Sequence, residues 1–175
     1  MSTTAAPAIA SAAAPATYSA PTATALTPEA LRAHWQGHRR LTRRVIEAFP
    51  EDQLFAFSVG GMRSFGVLAL EMLSMAEPMV RGSVTGDWET TIDRATRPQA
   101  ELLEAWDAST AAIDALWPQI PPARFQETTT AFGQYTAPLH ELLLYCIDNE
   151  IHHRGQGYVY LRALGIEPPP FFERN

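Results

Sequence analysis

Four stretches of this chain repeat apolar residues at steps of three and four, the spacing that places them on one side of an α-helix. They run from about 28 to 48, 64 to 76, 98 to 117 and 138 to 163. Proline or glycine follows each stretch, and Pro78 is expected to break or kink the second helix at its end. No alternation of strands and helices accompanies these stretches. The pattern therefore predicts an all-α fold, a bundle of four helices.

The first helix shows which side faces the core. Its cap is expected at Thr27, because threonine accepts hydrogen bonds from a first helical turn and proline follows it. The residues predicted to point inward are Leu31, Trp35, His38, Leu41, Thr42, Val45 and Ile46. Four arginines fall mostly elsewhere and are interpreted as a solvated outer face: Arg39, Arg40, Arg43 and Arg44.

Two segments lie outside the helical pattern. Residues 1–26 are almost entirely Ala, Thr, Ser and Pro without a charge, and burial in such a segment cannot offset its ordering entropy. We predict a disordered tail over 1–26 and one domain over 27–175; the tail lacks the basic start and long apolar run of a signal peptide. The segment 123–135, rich in threonine and aromatic residues, fits either a short hairpin or an extended loop.

Composition excludes several classes of function. The net charge of -6 disfavours binding to nucleic acid or to an anionic membrane surface, since both select basic proteins. All 13 basic residues are arginine, so lysine chemistry is ruled out. Cys146 is the single cysteine, which precludes an intrachain disulfide and fits a cytoplasmic protein. No stretch has the length and apolarity of a transmembrane helix, so no membrane partner is expected.

The fourth helix carries a polar stripe. Asn149, His153, Gln156 and Tyr160 follow one another at steps of four, three and four, so they should face inward if Leu142 and Tyr145 do. Buried imidazole and amide groups need hydrogen-bond partners, because leaving one unpaired costs on the order of 1–3 kcal/mol. A metal ion, a ligand, water or a side-chain network can supply them.

The residues around this stripe resemble a known family. The run 149–156, Asn-Glu-Ile-His-His-Arg-Gly-Gln, followed by Tyr-Leu-Arg-Ala-Leu-Gly at 160–165, resembles the last-helix signature of the DinB/YfiT-like proteins. The segments 50–54 and 61–66 resemble that family's connection into helix 2, so the likeness covers roughly 27–172. It implies an up-down-down-up four-helix bundle, usually a homodimer. It also implies a divalent metal, commonly zinc or nickel, held by three histidines, one on helix 2 and two on helix 4.

Carried over by position, the resemblance places the metal ligands at Glu71, Asn149 and His153, so one of the three histidines is kept. Glu71 and Asn149 offer oxygen, which favours a harder cation than zinc or nickel. His38, on the inward side of helix 1, is a candidate to complete the set. His152, Arg154 and Gln156 are expected at the rim or behind the ligands. The alternative is a metal-free polar core, in which Glu71 pairs with protonated His153 or His38.

Two functions follow from the resemblance. The first is metal-assisted transfer of a low-molecular-weight thiol, such as bacillithiol, mycothiol or glutathione, onto an electrophile. A metal ion favours this reaction because it lowers the pKa of a bound thiol. Arg154 is then expected to contact an anionic cosubstrate. The second is a non-catalytic bundle that binds a ligand or partner and is expressed in stress, as some relatives are induced by DNA damage. The sequence identifies no catalytic residue.

Overall fold

The computed structural model describes residues 26–89 and 95–175. Its helices are α1 (Pro28–Ala48), α2 (Glu51–Leu54), α3 (Phe65–Thr85), α4 (Gln99–Leu116) and α5 (Leu139–Ala163). Two short strands, β1 (Thr128–Ala131) and β2 (Tyr135–Pro138), pair as an antiparallel hairpin before α5, which settles the open interpretation of that segment. The all-α four-helix bundle is confirmed. The tail predicted over 1–26 lies, except for Leu26, outside the described residues.

Contacts between the long helices give their directions. Arg32 and Arg43 of α1 pair with Asp114 and Asp107 of α4, so these two helices are antiparallel. Trp35 and His38 of α1 contact α5 at Glu150 and Arg154, which makes α1 and α5 parallel. The contacts of α3 with α5 run in the opposite order, with Phe65 against Gly157 and Glu71 against His153. The layout is therefore up-down-down-up.

The inward face of α1 includes every residue that the sequence pattern placed there, and also one arginine that the pattern placed outside. All seven residues predicted to face inward are buried, and Thr27 accepts a hydrogen bond from the Ala30 amide as expected for a cap. The interpretation of Arg39 as a surface residue is wrong, because its side chain is fully buried. Its guanidinium lies 4.1 Å from the centre of the Trp106 ring and donates to the carbonyl of Trp106 on α4. An aromatic face and a carbonyl thus take the place of water.

The predicted break at Pro78 is also wrong. Helix α3 continues through Pro78 to Thr85, and Gly86 ends it with a φ of 80°. A proline within a helix costs roughly 3 kcal/mol. Here Pro78 itself and the following Met79 and Val80 are buried against the core, and this packing outweighs the lost hydrogen bond.

A glycine sets the distance between α3 and α5. A Cβ atom at Gly157 would lie 2.5 Å from the ring of Phe65, which is itself fully buried. Glycine at this position lets the two helices approach closely, and the same approach brings His153 to Glu71 one turn away.

Within the described residues, no helix is long and apolar enough to cross a membrane.

Candidate functional site

His153 is the centre of a polar cluster between α3 and α5. Its Nε2 atom lies 3.1 Å from Oε1 of Glu71 and 3.2 Å from Nδ2 of Asn149. The His153 side chain is buried, whereas Glu71 and Asn149 are partly exposed. The structure thus brings together the three residues that the family resemblance aligns with metal ligands.

Gln156 fixes the orientation of the His153 ring. Its Oε1 atom lies 3.0 Å from Nδ1 of His153 and accepts that N–H. A neutral ring with its proton on Nδ1 can accept from the Asn149 amide, but it then presents a lone pair to the Glu71 carboxylate. Either a second proton or a cation at Nε2 removes that repulsion. The Asn149 amide nitrogen thus fits a free lone pair at Nε2, whereas the Glu71 carboxylate fits a proton or a cation there.

Arg63 binds the other oxygen of Glu71. The two side chains form an ion pair through Nη1 and Oε2, and the Tyr160 hydroxyl donates to the Arg63 carbonyl at 3.0 Å. Burial raises the pKa of Glu71, but the hydrogen bonds from Arg63 and His153, together with their charges, outweigh it and lower the pKa below its usual value. Glu71 is therefore ionised at neutral pH. The contact of Arg63 with Glu71 could not be anticipated from the sequence, because Arg63 lies in the loop before α3, where helical periodicity does not apply.

A cleft of about 750 Å³ lies between α3, the hairpin and α5, and Glu71 forms part of its wall. Tyr145 also lines it and is 51% exposed, so of the two residues that served as the condition for an inward stripe, Leu142 is buried and Tyr145 is not. Tyr135 of the hairpin stacks against the Tyr145 ring at the same side of the cleft. The full lining is Glu71, Ser74, Met75, Met79, Phe132, Gln134, Tyr135, Thr136, Ala137, Glu141, Leu142 and Tyr145.

His38 has other partners than the cluster around His153. Its Nδ1 atom lies 2.9 Å from a guanidinium nitrogen of Arg154, and its Nε2 atom lies 2.9 Å from Arg174 and 3.2 Å from His34. Burial and the charges of Arg154, His34 and Arg174 lower the pKa of His38 from 6.5 to about 3. The guanidinium groups of Arg154 and Arg174 would repel a metal cation at His38. Within the described contacts, His38 therefore does not complete a ligand set with Glu71 and His153.

This environment makes stability depend on pH. The unfolded chain protonates His38 near pH 6.5, whereas the folded chain keeps it neutral down to about pH 3, so stability falls as pH decreases below 6.5. We expect His38→Gln to flatten this loss between pH 6.5 and 5, where most carboxylates stay ionised. Urea unfolding at several pH values, with chelator present, measures the free energy of unfolding as a function of pH. The exposed His152→Gln is the control, and equal slopes in wild type and His38→Gln would contradict the prediction.

Arg154 and Glu150 belong to a buried network between α1 and α5. Arg154 donates to Thr42 Oγ1 at 3.1 Å and to the His38 carbonyl at 3.3 Å, and its side chain is buried. The expectation that Arg154 contacts a cosubstrate at the rim is wrong for this reason. Glu150 accepts from Thr42 at 2.6 Å and from Trp35 at 3.1 Å. His152 is exposed, with its ring 5.1 Å from that of His153, so a rim position agrees with its geometry.

Cys146 is buried in α5 close to this network. Burial and the nearby Glu150 carboxylate raise the pKa of its thiol to about 12, against the opposing charge of Arg39. Such a thiol stays protonated and unreactive at neutral pH. Cys146 is therefore a core residue of the bundle.

Comparison with known proteins places this geometry in a family. The family model described as "DinB family" matches residues 22–174. The chain belongs to the DinB family. A search of curated proteins finds no match.

Solved structures share the DinB fold. A DinB-like protein from Bacillus cereus is similar with a TM-score of 0.68 and 18% identity, over 82% of this chain and 97% of that one. A DinB-like protein from Bacillus subtilis gives a TM-score of 0.69 and 18% identity, over 83% and 99% of the two chains. A variant of the mycothiol-dependent maleylpyruvate isomerase gives 0.53 and 16%, over 74% of this chain and 59% of that one.

The donor atoms around His153 have the spacing of metal ligands, but the described residues do not form a complete three-ligand site. Ligands about 2.0–2.3 Å from one ion are about 3.0–3.4 Å from each other, and the contacts of His153 Nε2 with Glu71 and Asn149 fall in that range. A rotation of the Asn149 amide by half a turn would point its oxygen at the ion. However, the described residues contain no group of three His, Cys, Asp or Glu side chains that could hold a metal, and Arg63 competes for Glu71.

Proposed function

We propose that this DinB-family chain binds a small molecule in the cleft, and that Glu71, Asn149 and His153 at its edge hold a divalent cation that activates a low-molecular-weight thiol for transfer to an electrophile. The convergence of those three side chains beside the cleft is the observation that carries the proposal. The similarity in fold to a mycothiol-dependent isomerase supports a thiol as one substrate. Homodimerisation and induction by DNA damage remain predictions from the family resemblance, and a cytoplasmic location remains a prediction from the single cysteine.

Each residue of the cluster has a distinct role in this proposal. His153 presents Nε2 as the nitrogen donor, with Gln156 holding Nδ1 so that the ring cannot rotate away. Glu71 supplies negative charge, and its lowered pKa keeps that charge at neutral pH. When bound, the cation lowers the pKa of a thiol and stabilises the thiolate. Met75 and Met79 in the cleft wall give the apolar part of a substrate a surface that excludes water.

A second candidate function is a metal-free DinB-like bundle that binds a ligand without catalysis. The ion pair of Arg63 with Glu71 favours it, because this contact already compensates the carboxylate charge. In that case, a proton shared between His153 and Glu71 replaces the cation. The cleft would then bind its ligand through the wall residues alone.

Metal content distinguishes the two functions. We expect untagged protein to take up about one Mn²⁺, Zn²⁺ or Ni²⁺ per chain in calorimetric titration, and His153→Ala to weaken that binding at least about tenfold because a direct ligand is lost. The exposed His152→Ala is the matched control, and circular dichroism checks that both variants fold. Absence of binding heat for all three ions, with no metal in the purified protein, would leave the metal-free bundle as the function.

A further inference from the structure

The cleft has an aromatic end that the cluster around His153 does not explain. The rings of Tyr135 on β2 and Tyr145 on α5 lie nearly parallel, with centroids 6.3 Å apart and planes inclined by 25°. Each tyrosine is 51% exposed, so both side chains are accessible to a molecule in the cleft. Glu141 lies one helical turn before Tyr145 and lines the same cleft.

The charged groups that the described residues place at this end are negative. Of the twelve described residues that line the cleft, two are charged, and both are glutamates. Glu71 is paired with Arg63 and His153. The Glu141 carboxylate has no hydrogen-bond or ion-pair partner among residues 26–89 and 95–175. A free carboxylate beside aromatic faces is therefore the chemical character of this end.

We propose that the cleft selects an organic cation, with its ammonium group held by Tyr135, Tyr145 and Glu141 and its apolar body lying along Met75 and Met79. Aromatic faces attract a cation through the ring quadrupole, most strongly when the cation is as weakly hydrated as a quaternary ammonium. The carboxylate of Glu141 adds direct charge attraction and repels anionic molecules.

The position of this end relates the cation to the reaction. Glu141 and His153 are twelve residues apart on α5, which corresponds to about 18 Å along the helix. A molecule bound by its ammonium group at the tyrosines can extend its other end toward Glu71. This assignment rests on the proposed function in one respect: the organic cation is then the second substrate, and the thiol occupies the end near His153.

Choline and 3,3-dimethylbutanol are suitable probes, because they share shape and hydroxyl group and differ in charge. We expect choline to bind about tenfold more tightly than the alcohol, and 3,3-dimethylbutanoate to bind more weakly than either, in calorimetric or NMR titrations at low ionic strength. Equal binding of choline and the alcohol, or tighter binding of the carboxylate, would overturn the proposal.

Variants locate the binding. Glu141→Gln removes the charge and Tyr145→Leu removes the aromatic face; both residues are exposed, so both variants should fold. Each is expected to weaken choline binding severalfold, whereas Glu104→Gln, an exposed carboxylate on α4, should leave it unchanged. Unchanged binding in both cleft variants would place the choline site elsewhere and refute the proposal. Titrations with and without chelator separate the organic-cation proposal from the metal proposal, because binding of the ammonium group needs no metal. Choline binding in the presence of chelator supports the organic-cation site even if the metal proposal fails.

Discussion

Glu150→Ala is expected to lower the free energy of unfolding by about 3–5 kcal/mol, the cost of removing one partner from a buried charged network. Glu150 is 2% exposed and accepts hydrogen bonds from Thr42 and Trp35. Its carboxylate also lies 3.8 Å from a guanidinium nitrogen of Arg39. Burial lowers the pKa of both Arg39 and Arg154, and the charge of Glu150 opposes that effect in both. Without Glu150, two buried arginines lose the negative charge that compensates them.

Urea unfolding followed by circular dichroism measures this loss at pH 7. Glu150→Gln keeps the shape and one acceptor oxygen, so it separates the loss of charge from the loss of packing. Glu104→Ala removes an exposed glutamate from α4 and should change stability by less than about 0.5 kcal/mol. If Glu150→Ala lost less than about 1 kcal/mol, the buried network would not contribute to stability as argued.

The helices could be predicted from sequence, but the buried charges between them could not. Periodicity identified the inward face of α1, because apolar residues recur along it at helical spacing. Arg39 lies at the border of that face, and its burial depends on Trp106 and Glu150, which come from two other helices. Similarly, the continuation of α3 through Pro78 depends on core packing rather than on local preference. Such tertiary partners leave no signal in a single segment.

The same distinction applies to the candidate site. The family resemblance aligned Glu71, Asn149 and His153, and these residues do meet in the fold. Neither Arg63 nor the aromatic end of the cleft was anticipated. Arg63 reaches Glu71 from the loop before α3, and Tyr135 reaches Tyr145 because the hairpin folds beside α5. Both contacts depend on where loops and turns place their residues, which apolar periodicity does not report.

Trp106→Ala is expected to lower the free energy of unfolding by about 3–5 kcal/mol, the usual cost of removing a large buried aromatic side chain. The side chain is 1% exposed, and its Nε1 donates to the Arg39 carbonyl at 3.1 Å. Its ring also covers the Arg39 guanidinium. Trp106→Phe keeps an aromatic face over Arg39 but loses the Nε1 hydrogen bond, so it should cost less than the alanine variant.

A double variant that combines substitutions of Trp106 and Glu150 tests whether these two residues act through Arg39. Because both compensate the same buried guanidinium, we expect the combined loss to differ from the sum of the single losses by about 0.5–3 kcal/mol. The milder pair Trp106→Phe and Glu150→Gln keeps the chain folded enough for chemical denaturation to measure all four proteins of the cycle. Additive losses would mean that Arg39 does not couple the two residues. A coupling that vanishes when Arg39 is replaced by Met would identify the guanidinium as the link, since Met fills similar volume without charge.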